Sequence, residues 1–316
     1  MKHWFPTTTL QTMQLRATLY ATIRTFFAER HILEVETPLL CKYTVTDPHI
    51  ESFLVPISGT SVYFLQTSPE YAMKRLLAAG SGPIYQITKS FRVGESGHHH
   101  NPEFTMLEWY RPGFNLHDLM DEIDLLLQCT LQTQPSEKIS YEALFLNYLN
   151  INPLTTPLDA LKKLIVESAI HVDTKNLDHD TCLQILLSHL IEPKLGVEKP
   201  LFLYDFPPSQ AALSKIRYDK NPVAERFELY INGSEIANGF HELTDSNEQY
   251  KRFEKNQMAR KENNQFVPDI DDYFIDALQA GLPNCSGVAV GIDRLLMQCA
   301  KANHIQDVVS FPFARA

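Results

Sequence analysis

The sequence predicts an α+β fold, with strands and helices mixed along the chain, on three observations. From Gln86 to Tyr110 two apolar runs flank a loop rich in glycine and histidine. The second run alternates, with Phe104, Met106, Glu108 and Tyr110 on one face and Thr105, Leu107 and Trp109 on the other. Residues 227–231 and 234–240 read as two strands that turn at Asn232-Gly233, a strong hairpin signal. Over 285–297 a glycine-punctuated apolar strand then runs straight into a helix with Arg294 in its first turn.

Bulk properties bound the function. With 316 residues, 44% hydrophobic and 21% charged, the chain is long enough for one large domain or two small ones. A formal net charge of -10 argues against nucleic acid gripped over a wide surface, which takes a basic face. Cys41, Cys129, Cys182, Cys285 and Cys299 have no short paired spacing, so they predict small buried thiols in a reducing compartment. No signal peptide and no bilayer-length apolar run is present, which places the expectation in the cytoplasm.

The elements follow in order. Residues 10–30 carry Leu15, Leu19, Ile23, Phe26 and Phe27 at helical spacing. Residues 34–38 read as an edge strand ending in a proline that cannot donate to a ladder, and 62–65 as a short strand. Ser68 is the expected N-cap of a helix through Leu77, with Pro69 in its first position and Glu70 in its first turn. Residues 116–131 form a further amphipathic helix, and 136–200 give mainly helical signals separated by proline-containing loops. His171, His179 and His189 there are surface or packing residues. Three adjacent histidines, His98 to His100, cannot easily surround one tetrahedral ion. After a buried-looking strand at 201–206, a charged helix over 248–263 reads as a solvated face. Residues 272–280 form a helix whose apolar side is Phe274, Ile275 and Leu278.

Residue types alone leave the chemistry open. Arg92 ends the first strand of the 86–110 pair, and a guanidinium can hold a phosphate in bidentate geometry. Glu103 and Glu108 stand beside Phe104 and Tyr110, yet the same residues describe a charged hairpin on a sheet edge. In the second hairpin Glu228 and Tyr230 share a face, and Glu235, Asn238, Phe240 and Glu242 follow across the turn. Acids on neighbouring strands repel unless a cation lies between them, so this is either a solvated face or a seat for a hard cation. No Walker loop and no GxGxxG is present.

The order of these segments carries a resemblance. Ser90-Phe91-Arg92, a loop, then His100 to Glu108 closely resembles motif 2 of class II aminoacyl-tRNA synthetases in its lysyl form. The helix and proline-ended strand over 10–38 look like motif 1, and Cys285 to Met297 resembles motif 3. FELYINGSEIANGFHEL resembles the lysyl-type strands that carry magnesium and amino-acid ligands. Within that family the chain is most similar to the free-standing lysyl-type paralogues that attach β-lysine to elongation factor P.

The resemblance implies a class II catalytic domain, an antiparallel sheet flanked by helices and open at one face for ATP. It implies a single domain over 1–316 with a helical insertion at about 136–200 and no anticodon-binding barrel before motif 1. It implies a homodimer through motif 1, ATP and Mg2+ as cofactors, β-lysine or lysine as substrate and elongation factor P as acceptor. Arg92 is assigned to the α-phosphate, Arg294 to the γ-phosphate and one adenine face, and Phe104 to the other face. Val93, Gly94, Glu95, Asn101, Ile236 and Gly291 complete the nucleotide contacts, and Glu228 and Glu235 hold magnesium, Glu235 also touching the nucleotide. Ser68, Pro69, Glu70, Glu108, Tyr110, Asn238, Phe240, Glu242 and Ala289 line the amino-acid side. Two positions depart from the family: Gly94 stands where motif 2 usually has glutamate, with Glu95 next, and Ala289 replaces the middle glycine of lysyl-type motif 3. The alternatives are a truncated lysyl-type enzyme charging tRNA or another carrier, and a non-enzymatic regulator.

Overall fold

The computed structural model describes residues 4–57, 62–219 and 221–316. They fall into two units, Met1–Asn115 with Cys129–Leu131 and Leu243–Ala316, and Leu116–Gln128 with Gln132–Glu242. The first unit opens with α1 (Leu10–Ala28), capped by the Thr9 hydroxyl, which accepts the Thr12 N–H at 3.1 Å. Its buried stripe is Leu19, Ile23, Phe26 and Phe27. The short strands β1 (Leu33–Glu34), β2 (Leu40–Cys41), β3 (Leu54–Pro56) and β4 (Val62–Leu65) follow. Next come α2 (Glu70–Ala78), β5 (Ile84–Phe91) and β6 (Glu103–Pro112). The N-cap of α2 is Pro69, one residue later than the sequence suggested. Ser68 still accepts the Glu70 N–H at 3.0 Å, because a short hydroxyl side chain can stand in for the missing helical acceptor.

The second unit takes Leu116–Gln128 of α3 (Leu116–Leu131), then β7 (Glu137–Ser140), α4 (Tyr141–Leu149), α5 (Leu158–Glu167) and α6 (His179–Leu186). It continues through β8 (Leu201–Phe206), β9 (Ile216–Tyr218), β10 (Pro222–Ile231) and β11 (Ser234–His241). Its sheet runs β11-β10-β8-β7 with β9 against β10, and β7–β8 is the parallel pair. The helical reading of 136–200 missed β7, whose sequence EKIS has too little alternation to announce a strand; pairing with β8 makes it one. The helices pack Phe145, Leu161, Ile165, Leu183 and Leu186 into one core with Leu203, Phe206 and Tyr230 of the sheet. Asn232 and Gly233 have φ of 51° and 71°, the left-handed pair of a type I′ turn. Gly196 and Leu195 clamp this turn, their carbonyls accepting the Asn232 and Gly233 N–H groups at 2.8 Å each. A Cβ on Gly196 would lie 2.3 Å from the Tyr230 carbonyl oxygen, so the clamp requires glycine there.

The chain then returns to the first unit with α7 (Ser246–Glu262), α8 (Asp272–Gly281), β12 (Cys285–Gly291) and α9 (Ile292–Ala300). The larger sheet of this unit runs β1-β5-β6-β12, antiparallel except at β1–β5, and β2-β4-β3 forms a second small sheet. Phe27 of α1 stacks on Tyr85 at 4.3 Å and meets Trp109 edge-on at 5.3 Å, which closes one face of the sheet with helix. Asp293 ties three elements together. It accepts from Arg16 of α1 at 2.5 Å and from the Thr105 N–H of β6 at 2.7 Å. The charged helix α7 is not wholly a solvated face: Arg260 is 2% exposed and donates to the carbonyls of Thr46, Asp47, Ile50 and Phe266. A guanidinium has enough donors to be buried when backbone acceptors surround it. Cys182 and Cys285 are buried as expected, but Cys41 and Cys299 are half-buried and Cys129 is exposed; all five are free thiols.

Candidate active site

In the first unit, strand register places the residues around Glu108. Cross-strand partners share a face, and Glu108 pairs with Gln86 on one side and Ala289 on the other. Tyr110 lies opposite Gly287, and Met106 opposite Gly291. Around Glu108, β12 therefore contributes two glycines and one methyl to the face that bears the carboxylate, with Cys285 further along, opposite Pro112. The start of α2 supplies the rest. The Ser68 hydroxyl donates to Glu108 Oε1 at 2.5 Å, and the Tyr110 hydroxyl to Oε2 at 3.1 Å. Lys74, one helical turn beyond Glu70, donates to Glu70 Oε1 at 2.6 Å. Glu108 is 1% exposed. Burial pushes its carboxyl up to about 8, with the charge of Glu70 adding to the shift and the two hydroxyls and Arg92 opposing it.

Arg92 extends from the end of β5 with its guanidinium 5.2 Å from the centre of the Phe104 ring. It donates to the Thr67 carbonyl at 3.3 Å and to Glu95 at 3.2 Å. Glu95 thus reaches back to the arginine, and the chain reverses at Gly94 with φ +80°. Val93 is exposed, and its N–H bonds the Glu51 carbonyl. The loop is pinned further on. Arg294 donates to the His99 carbonyl at 3.3 Å and to His100 Nε2 at 2.6 Å, and the Ile305 N–H donates to the His98 carbonyl. Asn101 is 7% exposed; its amide donates to the Glu103 carbonyl at 2.6 Å and accepts the Phe313 N–H at 3.0 Å. The structure thereby gives Asn101 a bracing task at the loop's end.

In the second unit the assigned residues lie on the β10–β11 hairpin. Glu228 pairs with Asn238 and Arg226 with Phe240, but Tyr230 pairs with Glu235 across a shift in register. Ile236 is the extra residue of this bulge. Without it, Glu235 would point away from Asn238 and Phe240; with it, all three share a face with Arg226, Glu228 and Tyr230. The side chain of Ile236 is 2% exposed, on the other side of the strand. Glu228 accepts from Arg226 at 2.5 Å and from the Tyr230 hydroxyl at 2.6 Å. Burial lifts its carboxyl above the usual range; Arg226 opposes this and Glu235 adds to it. Two acids of one hairpin, one of them buried and raised by the other, present hard oxygen donors to a divalent cation. Glu242 closes the strand at 1% exposure.

A family model for class II tRNA synthetases of the D, K and N type matches residues 4–315. The chain belongs to that family. It is 49% identical to a protein of Vibrio atlanticus (strain LGP32), over 99% of each chain, and 50% identical to one of Vibrio cholerae serotype O1, over 99% of this chain and 98% of the relative. A relative from Salmonella typhi is 48% identical over 99% and 98%. All three bear the name elongation factor P–(R)-β-lysine ligase.

The class II motifs pointed to the acids and missed what holds them. Arg226 bonds Glu228 and, at 3.2 Å, Asn238 Oδ1, while its guanidinium lies 4.6 Å from the Phe206 ring. The spacing Arg-x-Glu-x-Tyr on a strand would have found it, since the three share a face. The Tyr230 hydroxyl also lies 3.2 Å from Glu192 Oε1, so the helical segment reaches the same network. Lys74 was legible as the fourth residue after Glu70 on a helix. Among the described residues no helix is long and apolar enough to cross a membrane.

Proposed function

We propose that the chain is an ATP-dependent ligase that activates (R)-β-lysine as an aminoacyl-adenylate and transfers it to a lysine ε-amine of elongation factor P. The observation that carries this reading is that relatives sharing about half their residues with the chain, along nearly its whole length, bear that name. The acids that the resemblance assigns to the amino-acid side support it: lysine and β-lysine each bring two ammonium groups, which Glu70, Glu108 and Glu242 would answer.

The substrate carboxylate is already an anion near neutral pH, so its activation needs alignment and charge cancellation, with no general base. Arg92 holds the α-phosphate that the carboxylate attacks. Phe104 supports one face of the adenine and Arg294 the other, with the Arg294 charge on the γ-phosphate. Val93, Gly94 and Gly291 let the nucleotide lie against backbone, and Ile236 offers its main chain. Glu95 leaves Arg92 and takes the adenine contact that the family assigns one position earlier. Asn101 braces the loop and turns its remaining N–H to the nucleotide. Glu228 and Glu235 would hold magnesium, which would supply positive charge against the triphosphate. Ser68, Pro69, Tyr110, Asn238, Phe240 and Ala289 shape the amino-acid side. In the second step the acceptor ε-amine forms an amide with the acyl carbon and AMP departs.

We place the enzyme in the cytoplasm, in keeping with its free thiols, and assign it a homodimer through the motif 1 segment and a single catalytic domain over the whole chain. Incubation with ATP, Mg2+ and (R)-β-lysine, together with either elongation factor P or tRNA, tests the reading. Mass spectrometry should find one β-lysyl increment on a lysine of the factor and none on tRNA. Charged tRNA with an unmodified factor would overturn it.

A further inference from the structure

We propose that the amino-acid pocket exchanges a proton for its substrate: Glu108 carries a proton in the empty pocket and loses it to solvent when a substrate ammonium arrives, while Glu70 stays tied to Lys74. This deepens the reading above and rests on it for the identity of the ligand.

The geometry separates two neighbouring acids. Lys74 is 0% exposed, and an ammonium is buried at acceptable cost only when paired. Its partner is Glu70, at 2.6 Å on the same helix, so this ion pair exists before any ligand enters. Glu108, at 1% exposure, is met by the hydroxyls of Ser68 and Tyr110. Hydroxyls donate to a carboxylate and accept from a carboxylic acid, so they serve either form. The charged groups bearing on Glu108 are Glu70 from α2 and Arg92 from the end of β5; Gln86 and Ala289, its partners across the sheet, are neutral. Lys74 is matched by Glu70, so no cation of α2 is left for Glu108, and the Glu70 charge adds to the cost of ionising that buried carboxyl. The remaining acid, Glu108, titrates at about 8.

A substrate ammonium has three donors and no acceptor, so it can bond only the carboxylate form. On binding, the Glu108 O–H bond breaks, its proton passes to buffer, and the ammonium keeps its own three protons. The pocket's net charge is the same before and after. A neutral side chain of equal size cannot drive the exchange, so the proton acts as a filter for diamino acids. Affinity for the amino acid should rise about tenfold per pH unit below 8 and flatten near it.

Calorimetric titration of (R)-β-lysine into the protein, without ATP, in buffers of differing ionisation enthalpy counts the protons. We expect close to one released at pH 7 and about half at pH 8. Lys74→Met leaves the Glu70 charge uncompensated, so the count at pH 8 should climb towards one. Glu70→Gln removes the negative charge that raises Glu108, so the count at pH 7 should fall below the wild-type value. A purely structural pair would move neither count. Binding with no dependence on buffer overturns the exchange and leaves the ligase reading standing. Wild-type counts in both variants remove the part given to Lys74. If neither β-lysine nor lysine binds, the ligase reading fails and takes this inference with it.

Discussion

The acids Glu70 and Glu108 of the first unit and Glu228 and Glu235 of the second form two pairs, each with one buried carboxylate raised by a half-buried neighbour, and the chain holds them differently. In the first unit the chain supplies a buried ammonium from Lys74 to one acid and two hydroxyls to the other. In the second, one guanidinium, Arg226, spans Glu228 and Asn238, and a β-bulge turns Glu235 to the same face. The first arrangement makes the two acids unequal, which suits an organic ammonium that must choose one of them. The second gathers both acids on one hairpin, which suits a small divalent ion taking oxygen from each.

The sharpest break in that comparison comes from neutralising the second pair. Glu228→Gln or Glu235→Gln should lower ATP–pyrophosphate exchange by about 10²–10³-fold and raise the Mg2+ concentration needed for half-maximal rate. Glu108→Gln should weaken amino-acid use while leaving the Mg2+ requirement where it was. If the Mg2+ requirement moves equally in all three, the division of labour between the pairs is wrong.

Much of this was legible in the sequence, for definable reasons. Alternation marked β6, β10 and β11, and Asn232-Gly233 marked the turn, because side-chain period and turn chemistry are local properties. The bulge was not legible. Glu235 and Asn238 have opposite parity, and only the pairing of Tyr230 with Glu235 and of Leu229 with Ala237 puts them on one face. β7 escaped for the same kind of reason, since its strand character comes from β8. The acids could be named from motif order, but Lys74, Arg226 and Asp293 act through contacts the motifs do not spell out. Arg260 shows the limit most clearly: on a helix of mean hydropathy well below zero, one charged residue is buried by backbone carbonyls that arrive from far along the chain.

A gentler test compares how the pairs respond to pH. Glu108 holds its proton in the folded chain up to about 8, whereas the unfolded chain releases it near 4.5. Between those values the folded state binds more protons, so this group's contribution to stability declines as pH rises through that window. Glu108→Gln removes the titration. The variant should melt a few degrees above wild type at pH 8, and the difference should vanish by about pH 5. A gap of constant size across the range would show that the gain comes from packing and not from the buried acid.

The smallest effect expected is at Ala289, and it concerns which isomer the first pair accepts. Ala289 pairs with Glu108 across β6 and β12, so its methyl stands on the face that bears the carboxylate. Gly287 and Gly291, two positions to either side, add nothing to that face. The methyl takes space beside the substrate backbone, which disfavours an amino group on the α-carbon and leaves room for one on the β-carbon. One methyl changes discrimination by only about 1–3 kcal/mol, enough to bias between isomers of equal charge and atom count without excluding either. Wild type should therefore form adenylate from β-lysine in preference to α-lysine, and Ala289→Gly should narrow or reverse that ratio. The substitution touches no charge, so neither the Mg2+ requirement nor the proton count on binding should change. Adenylate formation measured with both isomers on both proteins decides it. If wild type prefers α-lysine and Ala289→Gly leaves the ratio alone, the methyl has no part in selection, and the β-lysine reading loses its support within the pocket.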